Sequence, residues 1–266
     1  MAGTMKESLK ANKKLGQHFL KDKNIIQAVI KTMPENTSCI VEIGPGLGAI
    51  THQLLGLQKK IILIEKDHRF ATFWDKQSIT CLQQDVMDID WQQFFELHHL
   101  VNEHVWLVSN LPYNISAPLT VNLMSFEYFS SMTLMYQKEV AEKILGIKGM
   151  SSLYALSHAF FDVEKVCAVK PGAFLPPPKV DSLVLRYQRK IHPLVPLKEY
   201  RLFEQFLRQL FAYPRKQIHS VLKKFMPIPW QQSSSLQEIN PTLRAEKLAW
   251  DQLLSLYQYY ALSAGK

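Results

Sequence analysis

The sequence predicts an α/β fold, in which strands and helices alternate around a doubly wound parallel sheet, followed by a smaller helical region. Two observations support this prediction. Short apolar runs bounded by turn residues alternate with helical patterns as far as about Tyr187. Beyond the proline-containing segment His192–Pro196, the apolar residues recur with a helical period instead. We therefore expect this segment to link two domains.

The elements follow one another in a regular order. Strands are expected at Cys39–Ile43, Ile61–Ile64, Thr80–Gln84, Val105–Val108, Ser131–Tyr136, Asp162–Val169 and Val180–Tyr187, the last as an edge strand. Helical patterns run from about Ala49 to Leu55 and over Gln137–Leu145, Ser152–Phe160, Leu202–Phe211, Arg215–Phe225 and Glu246–Tyr260. The proline-rich stretch before the last strand is expected to form a stiff, hairpin-like link.

The composition fits a cytoplasmic protein with two domains. The chain has 266 residues, of which 47% are hydrophobic, enough for a full core and a second small domain. Its three cysteines lie in apolar, strand-like runs, and no pair has metal-ligand spacing, so buried reduced thiols are expected. No apolar run is long enough to span a bilayer. The sequence therefore predicts neither a metal site nor a membrane partner.

Polar or glycine residues follow three of the predicted strands. Gly44–Gly48 comes directly after the first strand, Glu65 ends the second, and Asp85 ends the third. Glycines there let the backbone approach a ligand closely, and the acid one strand later can hold two ribose hydroxyls. The glycines alone also fit a nicotinamide dinucleotide site. Because Asp85 can reach an adenine amino group at the same sheet edge, we favour an S-adenosylmethionine site.

The next strand ends in the turn Asn110-Leu111-Pro112-Tyr113. Such a turn projects an amide, a backbone carbonyl and an aromatic face into one small space. The amide oxygen of Asn110 and the carbonyl of Leu111 can accept both hydrogens of an exocyclic amine, while Tyr113 stacks on the base. The turn alone is equally compatible with a packed tyrosine, so the interpretation depends on the cofactor motifs upstream.

Six motifs in the expected order make the chain resemble the KsgA-type ribosomal RNA adenine dimethyltransferases. They span nearly the whole chain, at Leu15–Leu20, Val41–Gly48, Asn110–Ser116, Gln137–Val140, Phe174–Ser182 and Leu243–Glu246. The resemblance implies a Rossmann-like S-adenosylmethionine-dependent methyltransferase sheet with helices on both faces, plus a small C-terminal helical domain. It also implies dimethylation of N6 of two adjacent adenosines in the 3′-terminal hairpin of 16S rRNA, coupled to late assembly of the small ribosomal subunit.

The resemblance assigns roles to individual residues. The cofactor S-adenosyl-L-methionine would be bound by His18, Leu20, Gly44, Gly46, Glu65, Asp85 and Asn110, with the two glycines at its methionine moiety and the first two residues closing the pocket. Asn110 and the Leu111 carbonyl would align the target amine, and Tyr113 and Phe174 would sandwich the base. His18 departs from the asparagine more often associated with its position, and its imidazole can still donate a hydrogen bond.

Basic residues flank the predicted catalytic core. The formal charge is +8, and ten Lys or Arg residues against two acids lie between Arg186 and Lys224. Joined to a base-binding turn, this distribution favours a phosphate-backbone partner. The expected RNA-binding residues are Lys179, Arg215, Lys216, Lys223 and Lys224. The expected domains are a basic N-terminal arm and pocket cap (1–23), the methyltransferase domain (24–190) and an RNA-binding domain (191–266), with a monomer as the default state.

Three alternatives remain open at this point. A resistance-type 23S rRNA adenine dimethyltransferase shares the Asn110 turn, although the proline triplet, Lys179 and Leu243–Glu246 argue against it. A ribosome-assembly factor whose main role is binding is compatible with the same motifs, because both roles can coexist. A protein-glutamine methyltransferase is disfavoured by the basic flanks and by the lack of a second proline after Asn110.

Overall fold

In a computed structural model, the structure describes residues 11–12, 16–226, 230 and 236–264. The chain divides into two compact units, of which one holds the residues up to Ala141 together with Phe161–Lys190. The other holds Glu142–Phe160 and the chain from Ile191 onward. Residues 142–160, expected in the methyltransferase domain, thus group with the C-terminal segment. The division at 1–23, 24–190 and 191–266 remains a prediction, and most of the basic arm lies outside the described residues.

The first unit is built on a seven-stranded sheet. Its strands are β2 (Cys39–Ile43), β3 (Lys60–Glu65), β4 (Cys81–Gln83), β5 (Val105–Asn110), β6 (Phe129–Gln137), β7 (Phe161–Val169) and β9 (Ser182–Arg189). They lie side by side in the order β4-β3-β2-β5-β6-β9-β7. Strands β2 to β6 pair in parallel, whereas β9 is antiparallel to both β6 and β7. The last strand was expected at the edge, and that expectation is wrong: β9 lies between its neighbours, and β7 forms the edge.

The central strands are buried on both faces. Every residue of β2 is buried, and alternate residues of β2 and β5 enter different layers. Ile40 and Trp106 pack with Ile26 and Val29 in one core cluster, whereas Val41 points to the opposite face. A run rich in β-branched residues, such as Cys39–Ile43, is typical of a parallel strand that is covered on both faces. The sheet is thus enclosed on both sides, as the sequence predicts.

Helices connect the strands of this unit. They are α1 (Lys23–Ile30), α2 (Thr51–Leu54), α3 (His68–Asp75), α4 (Trp91–Leu97), α5 (Ser116–Met124) and α6 (Lys138–Ile144), the last reaching into the second unit. Asp22, Asp67 and Asp90 stand at the N-termini of α1, α3 and α4, and each side chain accepts backbone N–H bonds there. Capping by aspartate stabilises the first turn of a helix and fixes where it starts.

A small two-stranded sheet, absent from the sequence prediction, ties the N-terminal segment to the proline-rich loop. Strand β1 (Phe19–Leu20) pairs antiparallel with β8 (Phe174–Leu175), and Leu20 lies opposite Phe174. The Lys21 N–H also donates to the Ala173 carbonyl at 2.8 Å. The loop expected to form a stiff link therefore also anchors residues that precede the main sheet.

The second unit is helical. It contains α7 (Ser152–Phe160), α8 (Tyr200–Leu210), α9 (Ile218–Leu222) and α10 (Trp250–Ala264). Aromatic rings of α8 and α10 pack together, with Phe203 and Tyr257 at 4.8 Å between centroids. The helix expected over Arg215–Phe225 is wrong in extent, because only Ile218–Leu222 is helical and the basic ends are turns. Within the described residues, no helix is long and apolar enough to cross a membrane.

Candidate active site

A cavity of about 210 Å³ opens at the carboxyl edge of the parallel strands. The register of the sheet explains its position, because Ile43 lies opposite both Ile64 and Ser109. The residues that follow these positions therefore share one edge. The cavity is lined by residues 16–20, 42–47, 49–50, 64–66, 84–86 and 110–115. All the predicted cofactor residues lie in this lining, as do Leu111 and Tyr113.

The glycine-rich loop needs glycine because bulky rings pack against its backbone. Gly46 has φ +50°, and a Cβ there would lie 3.1 Å from the ring of Phe19. Gly48 has φ +80°, and a Cβ there would lie 2.4 Å from the ring of Trp74. The Trp74 indole also donates to the Gly46 carbonyl at 3.0 Å. The loop is thus held in one conformation with its backbone facing the cavity.

Glu65 is buried at the end of β3 and joins two parts of the site. Its carboxylate accepts from the Gly46 N–H at 3.2 Å and from the Asp67 N–H at 2.8 Å. Burial raises the pKa of Glu65, and these backbone hydrogen bonds oppose the rise. Because each carboxylate oxygen has a further lone pair, the group can still accept hydroxyl donors from the cavity.

Asp85 lies beyond β4 with a different set of partners. One carboxylate oxygen accepts from the Lys66 ammonium at 2.5 Å, and the other accepts from the Met87 N–H at 3.0 Å. These contacts, with the lysine first, lower the pKa of Asp85. The carboxylate is therefore ionised at neutral pH and is an acceptor only.

Glu42 is a buried acid in the cavity that sequence reasoning missed. It is the fourth of the five residues of β2, lines the cavity and is 3% exposed. Burial raises its pKa to about 8, the Thr51 hydroxyl that donates to it at 2.7 Å opposes the rise, and nearby Glu65 adds to it. The sequence does hold a pattern that could have indicated this residue: Glu42 is a single acid in an otherwise apolar strand, two residues before the first glycine. A shifted acid in a cleft marks a candidate functional residue.

Asn110 has its side-chain amide fixed by the N-terminal segment. Its Nδ2 donates to the His18 carbonyl at 2.9 Å, which determines which end of the amide is the oxygen. Leu111 follows and is buried. The Tyr113 hydroxyl shares a 2.7 Å hydrogen bond with Ser182, and its ring stacks with the His18 imidazole at 5.7 Å between centroids. In this turn, hydrogen bonds therefore fix the orientation of the Asn110 amide and the position of the Tyr113 ring.

Phe174 does not take the position expected for it. Its side chain is 1% exposed, lies in the core cluster with Leu20 and Val108, and is absent from the cavity lining. The expectation that Phe174 and Tyr113 sandwich a base is therefore wrong for this conformation. The physical reason is the pairing of β8 with β1, which turns the phenylalanine into the core and leaves Leu175 exposed.

The predicted RNA-binding residues are exposed in both units. Lys179 lies in the loop between β8 and β9 of the first unit. Arg215, Lys216, Lys223 and Lys224 lie around α9 of the second unit, and all four are exposed. Beside them stands Tyr213, whose ring centroid is 3.7 Å from the Lys224 ammonium and 6.0 Å from that of Lys216. An exposed ring among cations is a surface suited to nucleic acid.

Taken together, the fold and the cavity define a class of protein. A parallel sheet with a glycine-rich loop after β2, an acid as the last residue of β3 and an asparagine as the last residue of β5 is that of a Rossmann-like methyltransferase.

The chain belongs to the ribosomal RNA adenine dimethylase family, whose model matches residues 8–262. It is 35% identical over 269 residues to the ribosomal RNA small subunit methyltransferase A of Bdellovibrio bacteriovorus, covering 94% of this chain and 92% of the relative. Its structure is similar to a dimethyladenosine transferase from Plasmodium falciparum, with a TM-score of 0.73, 25% identity, and 93% and 98% of the two chains covered. It also shares its fold with the 23S rRNA methyltransferase ErmE, with a TM-score of 0.69. The two sequences are 23% identical, and the match covers 91% of this chain and 99% of ErmE.

Proposed function

We propose that the protein dimethylates N6 of two adjacent adenosines in the 3′-terminal hairpin of 16S rRNA, using S-adenosylmethionine. The observation that carries the proposal is the oriented amide of Asn110, which lies in the same cavity as the glycine loop and Glu65. The full-length similarity to a small subunit methyltransferase supports the choice of substrate. We place this activity in the cytoplasm, on an assembling small ribosomal subunit, and assign it to a monomer.

The cavity fits S-adenosylmethionine in charge and shape. Gly44, beside which the space for a Cβ is open, leaves room for the methionine moiety, Gly46 lines the same cavity, and buried Glu42 offers a carboxyl to the cationic groups of the cofactor. Glu65 would accept from the ribose hydroxyls, and Asp85 from the adenine amino group. His18 and Leu20 would close the pocket from the N-terminal side, with His18 held by the Pro176 carbonyl at 2.8 Å.

The mechanism rests on aligning a weak nucleophile. The lone pair of adenine N6 is delocalised into the ring, so the amine must pyramidalise before it attacks. Because Asn110 Nδ2 is already bonded to the His18 carbonyl, its Oδ1 is left to accept one amine hydrogen. The Leu111 carbonyl would accept the other, which stabilises the positive charge that develops on nitrogen. When bound, S-adenosylmethionine would supply an electrophilic methyl group for an in-line displacement with its thioether as the leaving group, so positioning of the amine by Asn110 and Leu111 would dominate the rate.

Tyr113 would bind the target base on its ring face. A stack on tyrosine is worth roughly 1–3 kcal/mol, which offsets the few kcal/mol needed to extract a base. The hydrogen bond to Ser182 holds the ring in place for this role. Because the side chain of Phe174 is buried, we assign it a role in holding β1 and not in stacking on the base.

The basic surface around α9 of the second unit would bind the rRNA backbone, and Lys179 of the first unit is assigned a backbone contact of its own. A variant with Arg215, Lys216, Lys223 and Lys224 all changed to Gln tests this assignment. We expect weaker binding to small-subunit particles and a shallower salt dependence, by about 0.7–0.9 units of slope for each phosphate that is no longer neutralised. Cofactor affinity should not change. Particle affinity and salt slope at wild-type values would place the RNA surface elsewhere, with the lysine-rich N-terminal arm as the next candidate.

The fold does not by itself distinguish the small-subunit from the large-subunit substrate, since ErmE shares it. The proline triplet Pro176–Pro178 and the 35% identity to a small subunit enzyme favour 16S rRNA. Methylation assays with both rRNAs separate the two substrates. A role confined to assembly would instead give binding without methyl transfer.

Asn110→Ala tests the mechanism directly. We expect it to lose most turnover while its affinity for S-adenosylmethionine changes little, because the amide acts on the target amine. Asn102→Ala, which removes an exposed asparagine outside the cavity lining, is the matched control. Turnover of the Asn110 variant at the wild-type rate would show that amine alignment by Asn110 is wrong.

A further inference from the structure

Gln17 connects the N-terminal segment to the N-terminus of α3 through both ends of its side-chain amide. The Oε1 atom accepts from the Asn12 N–H at 2.8 Å, and Nε2 donates to Asp67 Oδ2 at 2.9 Å. Because the two ends of an amide differ, this pair of partners fixes the orientation of the group. Gln17 thus has a defined donor aimed at a single acceptor fifty residues away in sequence.

Asp67 is the centre of this connection. It is 7% exposed, and its carboxylate also accepts from the Arg69 side chain at 3.0 Å and 2.6 Å. The guanidinium of Arg69 is the main cause that holds the pKa of Asp67 below its usual value, so the carboxylate stays ionised and accepts from Gln17. The backbone N–H of Asp67 donates to Glu65 at 2.8 Å. Asp67 therefore contacts both Glu65, the acid proposed to bind the cofactor ribose, and Gln17 of the N-terminal segment.

The segment that Asp67 holds contacts two functional parts of the cavity. Phe19 lies against Gly46, so that a Cβ there would be 3.1 Å from its ring. The carbonyl of His18, the next residue after Gln17, accepts from Asn110 Nδ2 at 2.9 Å. Displacement of Gln17 would therefore disturb both the glycine loop and the amide that aligns the amine.

We propose that Asp67 is a positioning residue whose hydrogen bond to Gln17 holds residues 16–20 across the cofactor cavity and thereby sets the Asn110 amide. This inference rests on the cofactor site proposed above. It goes beyond the role of Asp67 as the N-cap of α3, which needs only the 3.1 Å bond from the Arg69 N–H. Removal of a cap alone lowers helix stability, whereas removal of the hydrogen bond to Gln17 acts on cofactor affinity and on turnover.

A reciprocal exchange of the two side chains separates these roles. Gln17→Glu places two carboxylates face to face. Asp67→Asn leaves one acceptor oxygen where two are used, so that with Oδ1 kept for the Arg69 N–H the new amide donor faces both Gln17 Nε2 and the Arg69 guanidinium. The double variant gives these donors a carboxylate acceptor on residue 17, with the direction of the hydrogen bond between positions 17 and 67 reversed, and Asn remains a good N-cap. We expect each single variant to weaken S-adenosylmethionine binding by about tenfold and to lower kcat at saturating cofactor, as removal of a charged hydrogen bond does. The double variant should recover most of both effects.

The readouts are cofactor affinity by calorimetry without RNA, kcat on rRNA, and thermal unfolding. Asp90→Asn is the matched control, since Asp90 caps α4 by accepting from the Gln93 N–H and lies outside the cavity lining. Gln17→Ala provides a second variant if the Glu variant fails to fold. Wild-type cofactor affinity and kcat in the single variants, or no recovery in the double variant, would overturn the inference. Failure of the wild-type protein to bind cofactor would instead overturn the proposed function.

Discussion

Replacement of Glu42 by glutamine should change how the stability of the protein depends on pH. Glu42 is buried within β2, and the Thr51 hydroxyl donates to it at 2.7 Å. Glutamine has nearly the same shape and keeps a carbonyl oxygen for that bond. The substitution therefore removes the ionisation and little else.

The magnitude follows from the shift in pKa. Burial, the largest cause, raises the pKa of Glu42 from 4.5 to about 8. Each pKa unit corresponds to about 1.4 kcal/mol, so ionising this group in the folded protein costs on the order of 5 kcal/mol more than in the unfolded chain. Between pH 4.5 and about 8, the folded state holds a proton that the unfolded chain has released. The free energy of unfolding must therefore fall as pH rises through this window.

Urea unfolding of the cofactor-free protein across the range from acidic to mildly alkaline pH measures this effect. We expect the Glu42→Gln variant to match the wild type at the acidic end and to become progressively more stable than it toward the alkaline end. Glu35→Gln, which changes an exposed acid, is the control and should track the wild type throughout. Parallel stability profiles for wild type and Glu42→Gln would refute the conclusion that Glu42 is held neutral by burial.

The same residue couples cofactor binding to protons. Because S-adenosylmethionine carries cationic groups, its binding next to Glu42 should favour the carboxylate and expel the proton. Calorimetric titrations at neutral pH in buffers of different ionisation enthalpy should show net proton release for the wild type and much less for Glu42→Gln. Equal proton release by the two proteins would contradict a contact between Glu42 and the cofactor.

Three further substitutions test the site residue by residue. Gly48→Ala should destabilise the protein by about 1–3 kcal/mol in urea unfolding, because its Cβ would meet Trp74 at 2.4 Å; an unchanged midpoint would argue against that packing. Glu65→Gln should weaken S-adenosylmethionine binding by about tenfold or more while rRNA binding persists, and unchanged cofactor affinity would contradict the ribose assignment. Tyr113→Phe keeps the ring and should retain most turnover, whereas Tyr113→Ala loses stacking worth roughly 1–3 kcal/mol; equal turnover of the two would exclude stacking.

The strand-end residues could be predicted from the sequence because each depends on a local pattern. Cys39–Ile43 is buried on both faces and is followed at once by glycines, so both the strand and the loop can be read from adjacent residues. Parallel pairing then places Glu65 and Asn110 beside the loop, since strands of similar length end at one edge. The cavity lining reflects this simple geometry.

The features that sequence reasoning missed depend on contacts between distant segments. The β1–β8 pair is only two residues long on each side, too short for any periodic pattern to reveal. Its formation buries Phe174, which reads from the sequence as an accessible loop aromatic. The position of β9 between β6 and β7 could not be predicted either. The alternation of apolar and polar residues within a strand shows which face is buried, but it does not show which strands lie on either side. The orientation of Asn110 depends on His18, a partner far away in sequence.

The most direct test of the proposed function is methylation of purified small ribosomal subunits that lack adenine dimethylation. The subunits are incubated with the protein and S-adenosylmethionine, and N6,N6-dimethyladenosine in 16S rRNA is mapped by mass spectrometry of nuclease fragments, with large subunits and Asn110→Ala in parallel. We predict two adjacent dimethyladenosines in the 3′-terminal hairpin with the wild-type protein, and almost none with the variant or in 23S rRNA. Dimethylation of 23S rRNA alone, or binding to small subunits without any methyl transfer, would contradict the account.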